Sequence, residues 1–115
     1  MNVQELYDQG FALRCSGEYG QAKQVLNQVL AQEPDHVDAK WQIGLIQGFE
    51  GDFEGSISTL RGVVEANPNH IDARYDFAMS LTMLGFDEEA CQNFKKILEQ
   101  NPDHEKAKQQ IIYCP

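Results

Sequence analysis

The chain repeats itself at a fixed interval, and that interval limits what it can fold into. "PDHVDA" at residues 34–39 returns as "PNHIDA" at 68–73 and as "PDHEKA" at 102–107. Pro34, Pro68 and Pro102 are spaced by 34 residues, as are His36, His70 and His104. A period in the range of roughly 20–50 residues is the mark of stacked supersecondary units, each unable to bury its apolar face alone. More columns align at the same step: Gly17, Gly51 and Gly85; Ala22, Ser56 and Ala90; Leu26, Leu60 and Phe94; Val29, Val63 and Ile97; Leu30, Val64 and Leu98. The chain is therefore three copies of one unit, about 3–36, 37–70 and 71–104, followed by a tail at 105–115.

Each unit reads as two helices joined by a turn. In the second copy Val37, Trp41, Ile43, Leu45, Ile46 and Phe49 are too irregularly placed for a strand. Their spacings of three and four suit a helix with more than one buried face. Gly51-Asp52 interrupts it. Phe53, Ile57, Leu60, Val63 and Val64 then form a single helical stripe. Asn67-Pro68 ends that stripe, because the residue before proline is pushed out of the helical region. Asp35, Asn69 and Asp103 follow the prolines and are the expected N-caps of the next helices.

The period, the paired helices and the small residues at Gly10, Gly44 and Ala78, at Ala22, Ser56 and Ala90, and the prolines resemble the tetratricopeptide repeat (TPR) family. The resemblance covers about residues 3–104. It implies an all-α fold: a right-handed helical-repeat solenoid of three helix–turn–helix units with a short C-terminal capping helix, one domain over 1–115. Some positions depart from the pattern. Leu6 is the bulky residue early in the first helix, but Lys40 and Arg74 stand in its place later. The turn aromatic, Tyr19 and Phe53, moves forward by one to Phe86 in the third copy. In the tail, Ala107, Ile111 and Ile112 are expected to cover the last repeat while Lys106, Lys108, Gln109 and Gln110 face water.

Eighteen acidic and nine basic residues give a formal charge of −9. That disfavours nucleic acid, whose phosphates need a basic footprint, and anionic membrane surfaces. It favours a partner of basic character. No apolar run approaches the ~20 residues of a membrane span. The start, "MNVQELYDQG", shows no basic segment followed by an apolar one, so a cytoplasmic protein is expected. Cys15, Cys91 and Cys114 are odd in number, far apart and without a C-x-x-C, which reads as reduced thiols.

Little in the sequence points to catalysis. Three histidines beside acids suggest metal ligands, but equivalent positions of stacked helices lie ~8–10 Å or more apart. Zinc needs its ligand atoms within about 2.0–2.3 Å of one metal. The histidines therefore read as polar turn residues, and no metal or cofactor is expected. "GFEGDFEG" has glycines but no preceding strand, so it is not a phosphate loop. Glu88-Glu89 reads as a solvated helix start, and no basic neighbour activates Cys15 or Cys114. The expectation is a non-enzyme.

In the resemblance, the first helix of each unit lines a concave surface. Its columns here are Tyr7, Trp41 and Tyr75; then Phe11, Leu45 and Met79; then Cys15, Phe49 and Met83. The flanking columns are Gln4, Asp38 and Asp72, and Asp8, Gln42 and Asp76. The floor is aromatic and apolar, and the rim is acidic. Gly48 stands where its counterparts are Arg14 and Thr82, which leaves room for a pocket. The same helices carry a second apolar face, at Leu6, Gly10 and Leu13 and their counterparts, so two separate contacts are implied. An exposed apolar patch commonly marks an interaction site.

The expected function is a protein-interaction module holding an apolar, basic-flanked peptide or helix. Tyr7, Phe11, Trp41, Leu45, Phe49, Tyr75, Met79 and Met83 would form its floor, with Asp38, Asp72 and Asp76 selecting positive charge. The alternatives are homo-oligomerisation through the groove or the solenoid ends, and a chaperone for hydrophobic segments of a secreted protein. The family's carboxylate clamp of Lys, Asn and Arg is replaced here by Tyr7, Phe11, Gln42, Asp72 and Asp76, so acidic C-terminal peptides are not expected ligands. Trp41 is expected to be partly exposed, and Phe94 to be core.

Overall fold

The computed structural model describes residues 1–115. Seven α-helices follow one another: α1 Val3–Cys15, α2 Tyr19–Gln32, α3 Val37–Phe49, α4 Phe53–Ala66, α5 Ile71–Met83, α6 Asp87–Gln100 and α7 Glu105–Ile111. Helices α1/α2, α3/α4 and α5/α6 pack as antiparallel pairs, and each pair packs on the next through α2/α3 and α4/α5. Helix α7 lies on α6. The result is an all-α helical-repeat solenoid of 48 × 25 × 21 Å.

The turn inside each unit is built by one glycine column. Gly17, Gly51 and Gly85 have φ of 82°, 84° and 82°, a left-handed conformation that only glycine adopts cheaply. Around Gly17 the amides close back onto the helix: Gly17 N–H donates to Arg14 C=O at 3.0 Å and Glu18 N–H to Leu13 C=O at 2.9 Å. The same paired bonds recur at Gly51-Asp52 and Gly85-Phe86. This is the Schellman arrangement, which satisfies carbonyls that the helix end leaves unpaired.

The turn between units is built by the histidines, a correction to the expected caps. Asp35, Asn69 and Asp103 are exposed turn residues. The N-caps are His36, His70 and His104, whose Nδ1 atoms accept from the backbone N–H of Ala39 (3.0 Å), Ala73 (3.1 Å) and Ala107 (3.1 Å). The proline and the residue after it are spent on the turn, so histidine is the last non-helical residue. Its Nδ1 then does what an asparagine oxygen does at that position. Because Nδ1 accepts, the ring proton of each neutral imidazole is on Nε2. Each ring also meets an aromatic of the first helix of its own unit: His36 with Tyr7 at 5.2 Å between centroids, His70 with Trp41 at 4.9 Å, His104 with Tyr75 at 5.6 Å. The histidine column thus closes one unit against its own aromatic and caps the first helix that follows.

That double role predicts two separable losses. His70→Asn should keep the cap and lose the ring contact, worth ~0.5–1.5 kcal/mol for an aromatic pair. His70→Ala should lose the cap as well, a further ~1 kcal/mol. Urea denaturation of the two variants against the parent checks this. Equal losses would mean that the Nδ1 bond contributes nothing.

The core divides into two clusters. One holds Leu6, Ala22, Leu26, Val29, Ala39 and Ile46; the other runs from Leu60 and Val63 on α4 through Phe77 and Leu81 to Phe94, Ile97 and Ala107. Close helix contact needs the small residues. A Cβ on Gly10 would lie 2.8 Å from Leu26 Cδ2, and one on Gly44 would lie 2.5 Å from Leu60 Cδ2. Arg74, out of place for a repeat core, is nevertheless buried. It donates to Asn93 Oδ1 at 2.7 Å and to Pro68 C=O at 3.3 Å, and burial holds its guanidinium below its usual range.

The tail departs from expectation in two ways. Ala107 is buried and Ile111 packs on the core, but Ile112 and Tyr113 are exposed. After α7 the chain turns toward α6, and Cys114 is joined to Cys91 in a disulfide with Cα atoms 5.8 Å apart. The expectation of reduced thiols is therefore corrected for this pair; Cys15 is free and exposed. Residues 91 and 114 are remote in sequence, and only the packing of α7 on α6 makes them neighbours.

Candidate functional site

Helices α1, α3 and α5 lie side by side, so the columns read from the sequence become one surface. Its three rows differ in exposure. In the first, Tyr7, Trp41 and Tyr75 are half-buried, each with its ring against the histidine that caps the helix after its own pair. In the second, Phe11 is 42% exposed while Leu45 and Met79 are half-buried. In the third, Phe49 and Met83 are 55% and 59% exposed, beside the exposed Cys15. The apolar area open to a partner thus lies one and two turns beyond the tryptophan.

The acids also separate. Asp8, Asp38 and Asp72 are exposed, as a rim requires. Gln42 is buried. Asp76 is half-buried between units, where Trp41 Nε1–H donates to its Oδ2 at 2.8 Å. Two basic groups lie against the aromatics: Arg14 is 5.0 Å from the Phe11 centroid and Lys106 is 5.7 Å from that of Tyr75. Burial, and then Asp38, push the Tyr7 phenol above its ordinary value; burial, and then Asp76, do the same for Tyr75. Both phenols therefore stay protonated at neutral pH.

A cavity of about 160 Å³ opens at Gly48, the position singled out in the sequence for lacking a side chain. Leu45, Phe49, Met79 and Met83 line it with Asp76, all from α3 and α5. It also includes Phe53 and Ser56 from α4, and Ser80, which the columns did not contain. Phe53 and Ser56 read in sequence as a second-helix stripe and a small-residue position. Ser80, next to Met79 on α5, gave no separate signal. The aromatic shift in the third copy has a visible result: Tyr19 and Phe53 are half-buried, whereas Phe86 is 55% exposed.

Asp76 makes stability depend on pH in a direction opposite to that of a paired carboxylate. Burial raises its pKa; the Trp41 hydrogen bond opposes this, Asp72 adds to it, and Lys106 and His70 weaken it. The folded chain then binds the proton more tightly than the unfolded one. Stability falls as pH rises from the ordinary aspartate value, ~3.9, through the raised folded value. Asp76→Asn removes that slope. Urea unfolding from pH 3.5 to 7, subtracting variant from parent, should show the parent losing relative stability as pH rises. A flat difference would mean that Asp76 is solvated in the fold.

Sequence profiles described as tetratricopeptide repeat match residues 37–70 and residues 72–104. The chain belongs to the tetratricopeptide repeat family, and it is a protein-interaction module of the helical-repeat kind. Among curated proteins, none matches the sequence significantly. Solved structures do. MamA from AMB-1 is similar at 26% identity with a TM-score of 0.85, over 98% of this chain and 62% of that one. MamA residues 41-end from Desulfovibrio magneticus RS-1 align at 24% identity and a TM-score of 0.88, over 96% and 62%. An O-GlcNAc transferase from Thermobaculum terrenum aligns at 23% and 0.86, over 95% of this chain but 21% of that one. The chain thus spans under two thirds of these structures. The transferase and the second MamA speak for the fold alone. No helix is long and apolar enough to cross a membrane.

Proposed function

We propose that the face formed by α1, α3 and α5 binds an apolar protein segment with basic flanks. The observation that carries this reading is the exposure of Phe11, Phe49 and Met83 on one face of a chain whose core is complete without them. Phe11 and Phe49 are the anchors a segment can reach directly, with Leu45 and Met79 beneath. Tyr7, Trp41 and Tyr75 present only the parts of their rings that the histidines leave open. Asp8, Asp38 and Asp72 favour basic flanks, weakly and with screening over a Debye length of about 10 Å in 0.1 M salt.

A displayed library of random 12-residue peptides, panned on the protein, tests this. The recovered peptides should be apolar with Lys or Arg at the flanks. Phe49→Ser should weaken them by ~2 kcal/mol, the loss expected for an aromatic anchor. Phe49 is 55% exposed and its ring lies 5.8 Å from that of Tyr19, so stability should fall by no more than the ~0.5–1.5 kcal/mol of an aromatic pair. Recovered peptides that bind a Phe11/Phe49/Met83 triple serine variant as well as the parent would place binding elsewhere.

A further inference from the structure

The cavity at Gly48 has a polar floor that an apolar ligand does not need. Asp76 Oδ2 takes the Trp41 indole N–H, but no donor meets Oδ1, and no Lys, Arg or His nitrogen of the chain forms an ion pair with this carboxylate. Ser56 Oγ donates to Gly44 C=O at 2.9 Å, and Ser56 and Ser80 Oγ are 2.9 Å apart. The single Ser56 proton is spent on Gly44, so Ser80 donates to Ser56. Both hydroxyl protons are then used, and what the floor offers is lone pairs and a carboxylate oxygen. The walls are the apolar side chains of Leu45, Phe49, Met79 and Met83. A floor of acceptors under apolar walls fits a group that is all donors on an aliphatic stem.

We propose that this cavity takes the guanidinium of an arginine in the bound segment, with its N–H groups on Asp76 Oδ1 and Ser80 Oγ and its stem against Phe49, Met79 and Met83. This rests on the reading of the concave face and adds its specificity. Arginine fits better than lysine because its planar group is more weakly hydrated, stacks on aromatics and donates in several directions at once. Burial raises the Asp76 carboxyl, and a cation beside it would favour the ionised form. Gly48 keeps the entrance open: a Cβ there would lie 3.5 Å from Ser56 Oγ and 3.9 Å from Ser80 Oγ, directly over the floor. Glycine is otherwise a poor residue inside a helix.

Gly48→Leu therefore projects into the cavity from a position where a Cβ makes only ordinary van der Waals contacts, and Asp76→Asn removes the charge while keeping an acceptor for Trp41. The probe is Nα-acetyl-arginine methylamide, followed by NMR at the Met79 and Met83 methyls and the Trp41 indole N–H. Its neutral citrulline counterpart and its lysine counterpart are the controls. Saturable shifts are expected with the arginine probe. Binding should be at least ten-fold weaker for citrulline and for Asp76→Asn, weaker for lysine, and lost in Gly48→Leu. Thermal melts of both variants confirm that they are folded. No saturation, equal binding of citrulline, or an unaffected Gly48→Leu variant overturns the proposal. Apolar peptides recovered without arginine and held equally well by Gly48→Leu overturn it too, while leaving the concave-face reading intact. Saturation by the arginine probe with no peptide binding anywhere supports the cation site and sinks the concave-face reading instead.

Discussion

Truncating Phe94 to alanine will lower the free energy of unfolding by about 3–5 kcal/mol, the range for removing a large aromatic from a packed core. Phe94 is 2% exposed and sits in the larger cluster with Ala78, Ala90 and Ile97, its ring 6.0 Å from that of Tyr75. It occupies the column of Leu26 and Leu60. In the first two copies the residue opposite that column is a glycine, and a Cβ there would clash with the leucine. The third copy has Ala78 instead, paired with a flat ring rather than a branched side chain. The cavity left by truncation lies in the cluster that α5, α6 and α7 share. For a protein only ~5–15 kcal/mol stable, this is a large fraction of the total. Guanidinium denaturation of the variant is the measurement. A loss of a few tenths would mean that α6 is rotated from its position here.

Reducing the Cys91–Cys114 disulfide should cost about 2–4 kcal/mol, the usual worth of a crosslink that restrains the unfolded chain. The bond closes a sequence separation of 23 residues. Helix α7 has only seven residues, too few to hold a helix without tertiary support. Its own hold on the solenoid is the burial of Ala107, the packing of Ile111 and the His104 cap. Denaturation with and without reductant should therefore differ, and a Cys91→Ser variant should match the reduced parent and ignore reductant. Hydrogen exchange should locate the loss in α7 and the following residues. Identical unfolding curves in both conditions would show that the two cysteines are not joined in solution.

Much of the fold was legible because a repeat states its own register. The 34-residue step fixes helix number, helix pairing and the positions of close contact before any coordinate is known. Gly17, Gly51 and Gly85 recur because a Schellman turn needs a left-handed residue, and that need is local. The caps fall one residue beyond the expected Asp35, Asn69 and Asp103. Asp35 and His36 are adjacent and both can accept a hydrogen bond. Which one is the last non-helical residue depends on where the proline turn ends, and a column of identities contains no dihedral angle.

What the sequence determined by itself, then, is whatever depends on spacing along the chain: three helix pairs, their turns, and the side of each first helix that the core leaves free. The site was legible to that depth, as columns of residue types. Tertiary structure alone decided the rest, because burial and approach depend on residues far apart in sequence. It sank Asp76 between units onto the Trp41 indole and left Asp38 and Asp72 in water, although all three read alike as rim acids. It turned Phe49 and Met83 outward, set Ser80 beside Ser56 under the space that Gly48 leaves, and brought Cys114 back to Cys91.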